Sequence, residues 1–110
     1  MGVSDEFVEY VIEQLSVWGE VSVRRMFGGA GLYREGIMFA VIADDVAYLK
    51  VDDSNRDDFL RAGSAPFEPY PEKIKTTIRT YYEIPADVLE NPDELVKWAE
   101  RSWIVARKKK

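Results

Sequence analysis

Apolar side chains recur at three- and four-residue steps through Phe7, Val8, Val11, Ile12, Leu15 and Trp18. That period places them on one face of a helix and predicts an element over Ser4 to Trp18. Ser4 can cap it, Asp5 and Glu6 suit its positive end, and Gly19 can end it by taking a positive φ. The pattern then changes. Val21 to Phe27, Ala30 to Arg34, Ile37 to Ala43 and Val46 to Val51 are short β-branched or aromatic runs separated by Gly28-Gly29, Glu35-Gly36 and Asp44-Asp45. Connections this short fit only antiparallel neighbours, because a parallel crossover needs a dozen or more residues. The stretch reads as a β-meander. Its Ile37 run is apolar on both faces and belongs at the centre, whereas Ala47, Leu49 and Val51 alternate with Tyr48 and Lys50, as in a strand with one wetter face.

A second helix is expected over Asn55 to Ala62, capped by Asp53 or Ser54, anchored by Phe59 and Leu60 and ended by Gly63. Ser64 to Pro71 carries prolines that lack an amide proton and reads as an extended surface loop. Thr76 to Ile84 is rich in Thr, Ile and Tyr and reads as a further strand. Asn91-Pro92-Asp93-Glu94 then supplies a cap, a proline at the first helical position and a carboxylate at the third. Leu95, Trp98, Ala99, Ser102, Trp103 and Ala106 share one stripe of the last helix, which frays into lysines. The fold class is α+β in two layers: one antiparallel meander sheet of five strands, with N-terminal, middle and C-terminal helices mainly on one face. With 110 residues and no repeat or long linker, residues 1–110 read as a single domain with a basic tail at 107–110.

Composition narrows the chemistry. The chain has neither Cys nor His, which removes disulfides, thiol nucleophiles, thiolate metal sites, the commonest general base and the commonest transition-metal ligand. No cofactor and no enzymatic activity are expected. The N-terminus is acidic where an export signal would be basic, and the longest apolar run, Ile37 to Ala43, is far short of a bilayer span. The expected setting is therefore the cytoplasm, with no membrane partner. The net charge of −5 conceals an asymmetry: residues 101–110 carry +5 and no acid, and the remainder carries −10. An acidic body repels phosphate at long range, so direct DNA binding is not expected, although the tail can supply a few contacts.

The residues with most chemical promise are Arg24 and Arg25 beside the Gly28-Gly29-Ala30-Gly31 turn. Guanidinium groups bind phosphate bidentately, and exposed glycine amides can cradle it. The spacing fits neither the Walker nor the dinucleotide pattern, and a tight hairpin accounts for the glycines equally well. Alternation sets Val21, Val23, Arg25 and Phe27 on one face, so either Arg25 points at an apolar layer or a bulge shifts the register. A half-buried Arg25 would need a carboxylate, and truncating it would cost about 3–5 kcal/mol. Asp53, Asn55 and Asp57 mimic the start of a calcium loop, but Asp58 and Ser64 stand where such a loop needs Gly and Glu, and the stretch is better read as a helix start. Tyr81, Tyr82, Phe67, Tyr70, Trp98 and Trp103 could stack bases, but at strand and helix spacing they read as core and edge packing.

Taken in order, Arg24-Arg25-Met26-Phe27-Gly28-Gly29, Gly36-Ile37-Met38-Phe39-Ala40, Tyr48-Leu49-Lys50-Val51-Asp52, Asn55-Arg56, Phe59, Ala62-Gly63-Ser64, Pro66-Phe67 and Tyr81-Tyr82-Glu83-Ile84-Pro85 resemble the N-terminal domain of the TfoX/Sxy competence regulators. The resemblance runs from about Val8 to Arg107. It implies a cytoplasmic, non-enzymatic coactivator of transcription that works with a cyclic-AMP receptor protein, and hence a protein partner in the transcription machinery. A second copy of the chain is a further candidate partner. Family members carry a C-terminal domain resembling a helix-hairpin-helix unit, which does not follow here. The leading expectation is a regulatory or protein-interaction module. The alternative is a binder of a small anion or nucleic acid at Arg24, Arg25, Gly28 and Gly29.

Overall fold

The computed structural model describes residues 5–26, 29–67 and 78–108. Helix α1 spans Asp5–Gln14 and is followed by strands β1 (Ser22–Met26), β2 (Gly29–Arg34), β3 (Ile37–Ala43) and β4 (Val46–Lys50). Helix α2 (Arg56–Arg61), β5 (Pro66–Phe67), β6 (Ile78–Glu83), α3 (Ala86–Leu89) and α4 (Pro92–Lys108) complete it. The strands form one sheet in the order β1-β2-β3-β4-β6-β5, with every pairing antiparallel. Glu35 and Gly36 link β2 to β3, and Asp44 and Asp45 link β3 to β4, all with φ between 53° and 78°. Two left-handed residues in a two-residue turn match the right-handed twist of the strands they join.

Alternation assigns the faces. Ala30, Leu32, Ala40, Ile42, Ala47 and Leu49 stand on one side of the sheet and are buried. Val8, Val11 and Leu15 from the N-terminal segment, Phe59 of α2, Val88 of α3, and Leu95 and Ala99 of α4 pack on that same side in a single cluster. The four described helices therefore cover one face, which is the expected α+β arrangement. A bulge at the β2–β3 pairing, where Leu32 meets Ala40 and Tyr33 meets Met38, turns Phe39 into the core beside Ala40. This central strand therefore buries two successive positions, Phe39 and Ala40. The opposite face carries Arg24, Tyr33, Met38, Tyr48, Lys50 and Tyr81.

Several sequence expectations need correction. The α-helix ends at Gln14, and turn hydrogen bonds carry the chain on to Trp18, including Trp18 N to Leu15 O at 3.0 Å. Gly19 has φ +142°, in the region open mainly to glycine. Gly29 belongs to β2 rather than to the turn. Neither Asp53 nor Ser54 caps α2; Asn55 holds the cap position and makes no capping bond. Pro66 and Phe67 are not loop but a sixth strand on the free side of β6, the edge location where proline costs no ladder bond. Helix α3 was not expected, while the Asn91 cap was: its Oδ1 accepts from Glu94 N at 3.3 Å. Ser4, Gly28, Glu68 to Thr77 and Lys109-Lys110 lie outside the described residues.

Candidate functional site

Arg24 and Arg25 lie on β1, the edge of the sheet, with no bulge between them: Arg24 pairs with Gly31 and Arg25 with Ala30. They project to opposite faces. Arg25 shares the helix side with Ala30, as alternation requires, but on this edge strand its side chain remains 51% exposed. The expected half-buried arginine is therefore an exposed one, and its guanidinium pairs with Asp5 at the start of α1. Arg24 has no carboxylate partner among the described residues and lies 5.2 Å from the centroid of the Tyr33 ring. At Gly29 a Cβ would stand 2.4 Å from the Ile42 carbonyl oxygen, so the close approach of β3 accounts for this glycine. Gly28, the remaining member of the group, is outside the described residues.

A second cluster escaped sequence reasoning. Arg34, at the end of β2, lays its guanidinium 4.4 Å from the Trp18 ring centroid and 5.9 Å from that of Trp103, and its Nη1 donates to Trp18 O at 3.2 Å. Trp103 Nε1 donates back to Arg34 O at 2.9 Å. Arg107, one turn along α4, stacks on the same indole at 4.8 Å. Gly19 makes room for this arrangement, since a Cβ there would meet Arg34 Nη1 at 2.4 Å. The only sequence-level signal was Gly19 following Trp18; Trp103 lies 69 residues from Arg34, beyond any local pattern.

The acidic stretch serves local structure. Asp52 Oδ1 accepts from Ser54 N at 2.8 Å, Asp53 pairs with Arg56, and Asp58 holds both Arg61 and Arg101 at 2.6 Å, tying α2 to α4. Most of the aromatics are packing residues. Tyr82 and Phe59 are buried, and Phe59 meets Trp98 edge-on at 4.8 Å. Tyr48 and Phe67 contact each other at 4.7 Å on the opposite face. On that face Lys50 Nζ lies 5.0 Å from the Tyr81 ring. Burial pushes the Tyr81 phenol above its usual pKa, with a smaller contribution from Tyr33.

The family model for the TfoX N-terminal domain matches residues 13–106 of the 110. The chain belongs to that family. This match takes in β1 with its two arginines, Arg34, Trp103 and most of α4, and stops one residue before Arg107. Among the described residues no helix of this TfoX domain is long and apolar enough to cross a membrane. The comparison with curated proteins gives no match.

Proposed function

We propose that this TfoX N-terminal domain is a non-enzymatic cytoplasmic module that regulates transcription by contacting another protein, as the TfoX/Sxy regulators do. The observation that carries the reading is the family match over residues 13–106. The edge strand β1 supports it. Among the described residues its outer side pairs with no other strand, Val23 is 38% exposed, and Arg24 and Arg25 present a positive charge to either face. Two copies joined symmetrically about Arg24 would set like charges opposite one another, so a different, acidic partner suits this edge better than a second copy. The alternative reading, an anion held by Arg24, Arg25 and the glycine turn, has less support, because Asp5 already engages the Arg25 guanidinium.

A mobility-shift experiment with cyclic-AMP receptor protein on its operator DNA tests the proposal. The domain is expected to retard the receptor–DNA complex and leave free DNA unmoved, and the double variant Arg24→Glu, Arg25→Glu to weaken the effect. Retardation of free DNA alone, or no interaction with the receptor or with RNA polymerase, would overturn it.

A further inference from the structure

We propose that Arg34 and Arg107, which both lie against Trp103, form a receptor for phosphate groups. This site is distinct from the β1 edge and independent of the partner reading. The twenty acids outnumber the bases, and among the described arginines Arg25, Arg56, Arg61 and Arg101 each pair with an aspartate. Arg34 and Arg107 have no carboxylate partner among the described residues. Both guanidinium groups instead lie within 5.9 Å of the same indole centroid. An arginine stacked on a ring leaves the edge of its planar fork facing outward, and that edge is the part that binds phosphate oxygens bidentately.

The cluster is held in place before any ligand arrives. Arg34 Nη1 is fixed on Trp18 O, its own carbonyl accepts from Trp103, and Gly19 supplies the space its guanidinium occupies. Little side-chain entropy therefore remains to be lost when Arg34 binds an anion. Arg107 and Lys108 add positive charge in the last turn of α4, where no acid stands, and this outweighs the negative end of the helix dipole. Glu20 follows Gly19 and Glu35 follows Arg34 in sequence, and neither is among the ion pairs of the described residues. Arg34 already lies over the Trp18 ring and Arg107 over that of Trp103, so the ligand class is set by phosphate oxygens rather than by a base needing an indole to stack on. A free phosphate compound and the backbone of a single strand share that chemistry.

Nuclear magnetic resonance titration of the full chain with inorganic pyrophosphate, at about 20 mM ionic strength to limit screening, reads the site directly. The Trp103 indole N–H and the Arg34 side chain are expected to shift together and saturate. Arg107→Ala should weaken binding about tenfold, the loss typical of one charged hydrogen-bonding group, with Arg24→Ala unchanged. Arg107→Gln, which keeps the stem on Trp103, should reproduce the loss and so separates charge from packing. In a second arm with a short oligothymidylate, shifts at the same residues would assign the phosphate to a nucleic-acid strand, and their absence would assign it to a small molecule. Non-saturating shifts, equal shifts with matched chloride, an unchanged affinity in Arg107→Gln, or an equal loss in Arg24→Ala would each overturn the proposal.

Discussion

A single methyl group added at Gly29 would stand 2.4 Å from the Ile42 carbonyl oxygen, and the backbone it meets is an interior strand that cannot move without shifting its neighbours. Gly29→Ala is therefore expected to destabilise the fold by about 1–3 kcal/mol, the range for forced overpacking, seen in urea unfolding as a lower midpoint at unchanged slope. Arg25 makes the opposite case. Its pair with Asp5 is 51% and 79% exposed on the two side chains, and exposed pairs contribute little because water screens the charges and both chains lose freedom. Arg25→Ala should cost under about 1 kcal/mol by the same measurement, well below the loss expected had the guanidinium been half buried. The two neighbouring positions thus separate cleanly: the glycine serves packing, and the arginine remains accessible to a partner.

At the scale of elements, the junction between β4 and α2 depends on one side chain. Asn55 is 4% exposed; its Oδ1 accepts from Asp52 N at 2.9 Å and its Nδ2 donates to Lys50 O at 3.1 Å, so it bridges the strand end and the first turn of the helix. Asn55→Ala would leave both backbone groups without this partner in a partly buried turn. A loss of about 2–4 kcal/mol is expected from two unmade bonds, together with faster amide exchange at Asp52. The four-strand meander was legible in the chain because Glu35-Gly36 and Asp44-Asp45 mark two-residue turns and Ala47, Leu49 and Val51 alternate cleanly. Strand β5 was not, since Pro66 and Phe67 are too few to show a period and proline argues against a strand until its edge position is known. Helix α3, at four residues, is likewise shorter than the window over which helical spacing can be recognised. Asn55 reads in sequence as a helix starter, and only the fold shows that its amide faces back toward Lys50. The Arg34 cluster stayed hidden for a different reason: its ring partners come from the turn after α1 and from α4, and no local pattern joins them.

Over the whole molecule, charge decides what kind of nucleic-acid contact is affordable. The chain outside its last ten residues carries −10, and its described acids are spread over the helices and turns rather than confined to one side. A duplex laid broadly against the molecule would meet them. Among the described residues, the cations that can act without drawing a phosphate toward a paired carboxylate include Arg24 on the face without helices, and Arg34 and Arg107 with Lys108 at the end of α4. Each phosphate neutralised releases counterion and steepens the salt dependence by roughly one logarithmic unit, so a contact limited to Arg34 and the basic tail at 107–110 should show a slope of magnitude no more than about 5. A duplex Kd weaker than about 10⁻⁶ M at physiological salt follows, within the range of ordinary non-specific binding. Fluorescence anisotropy with labelled duplex across a salt series measures both quantities, and Arg107→Gln should lower the slope by about one unit while Arg25→Ala leaves it unchanged. A steeper slope, or a sequence-selective Kd in the nanomolar range, would mean that the acidic body does not govern the encounter. Contacts beyond the α4 end, rather than the family's protein partner, would then be the primary route by which this domain reaches DNA.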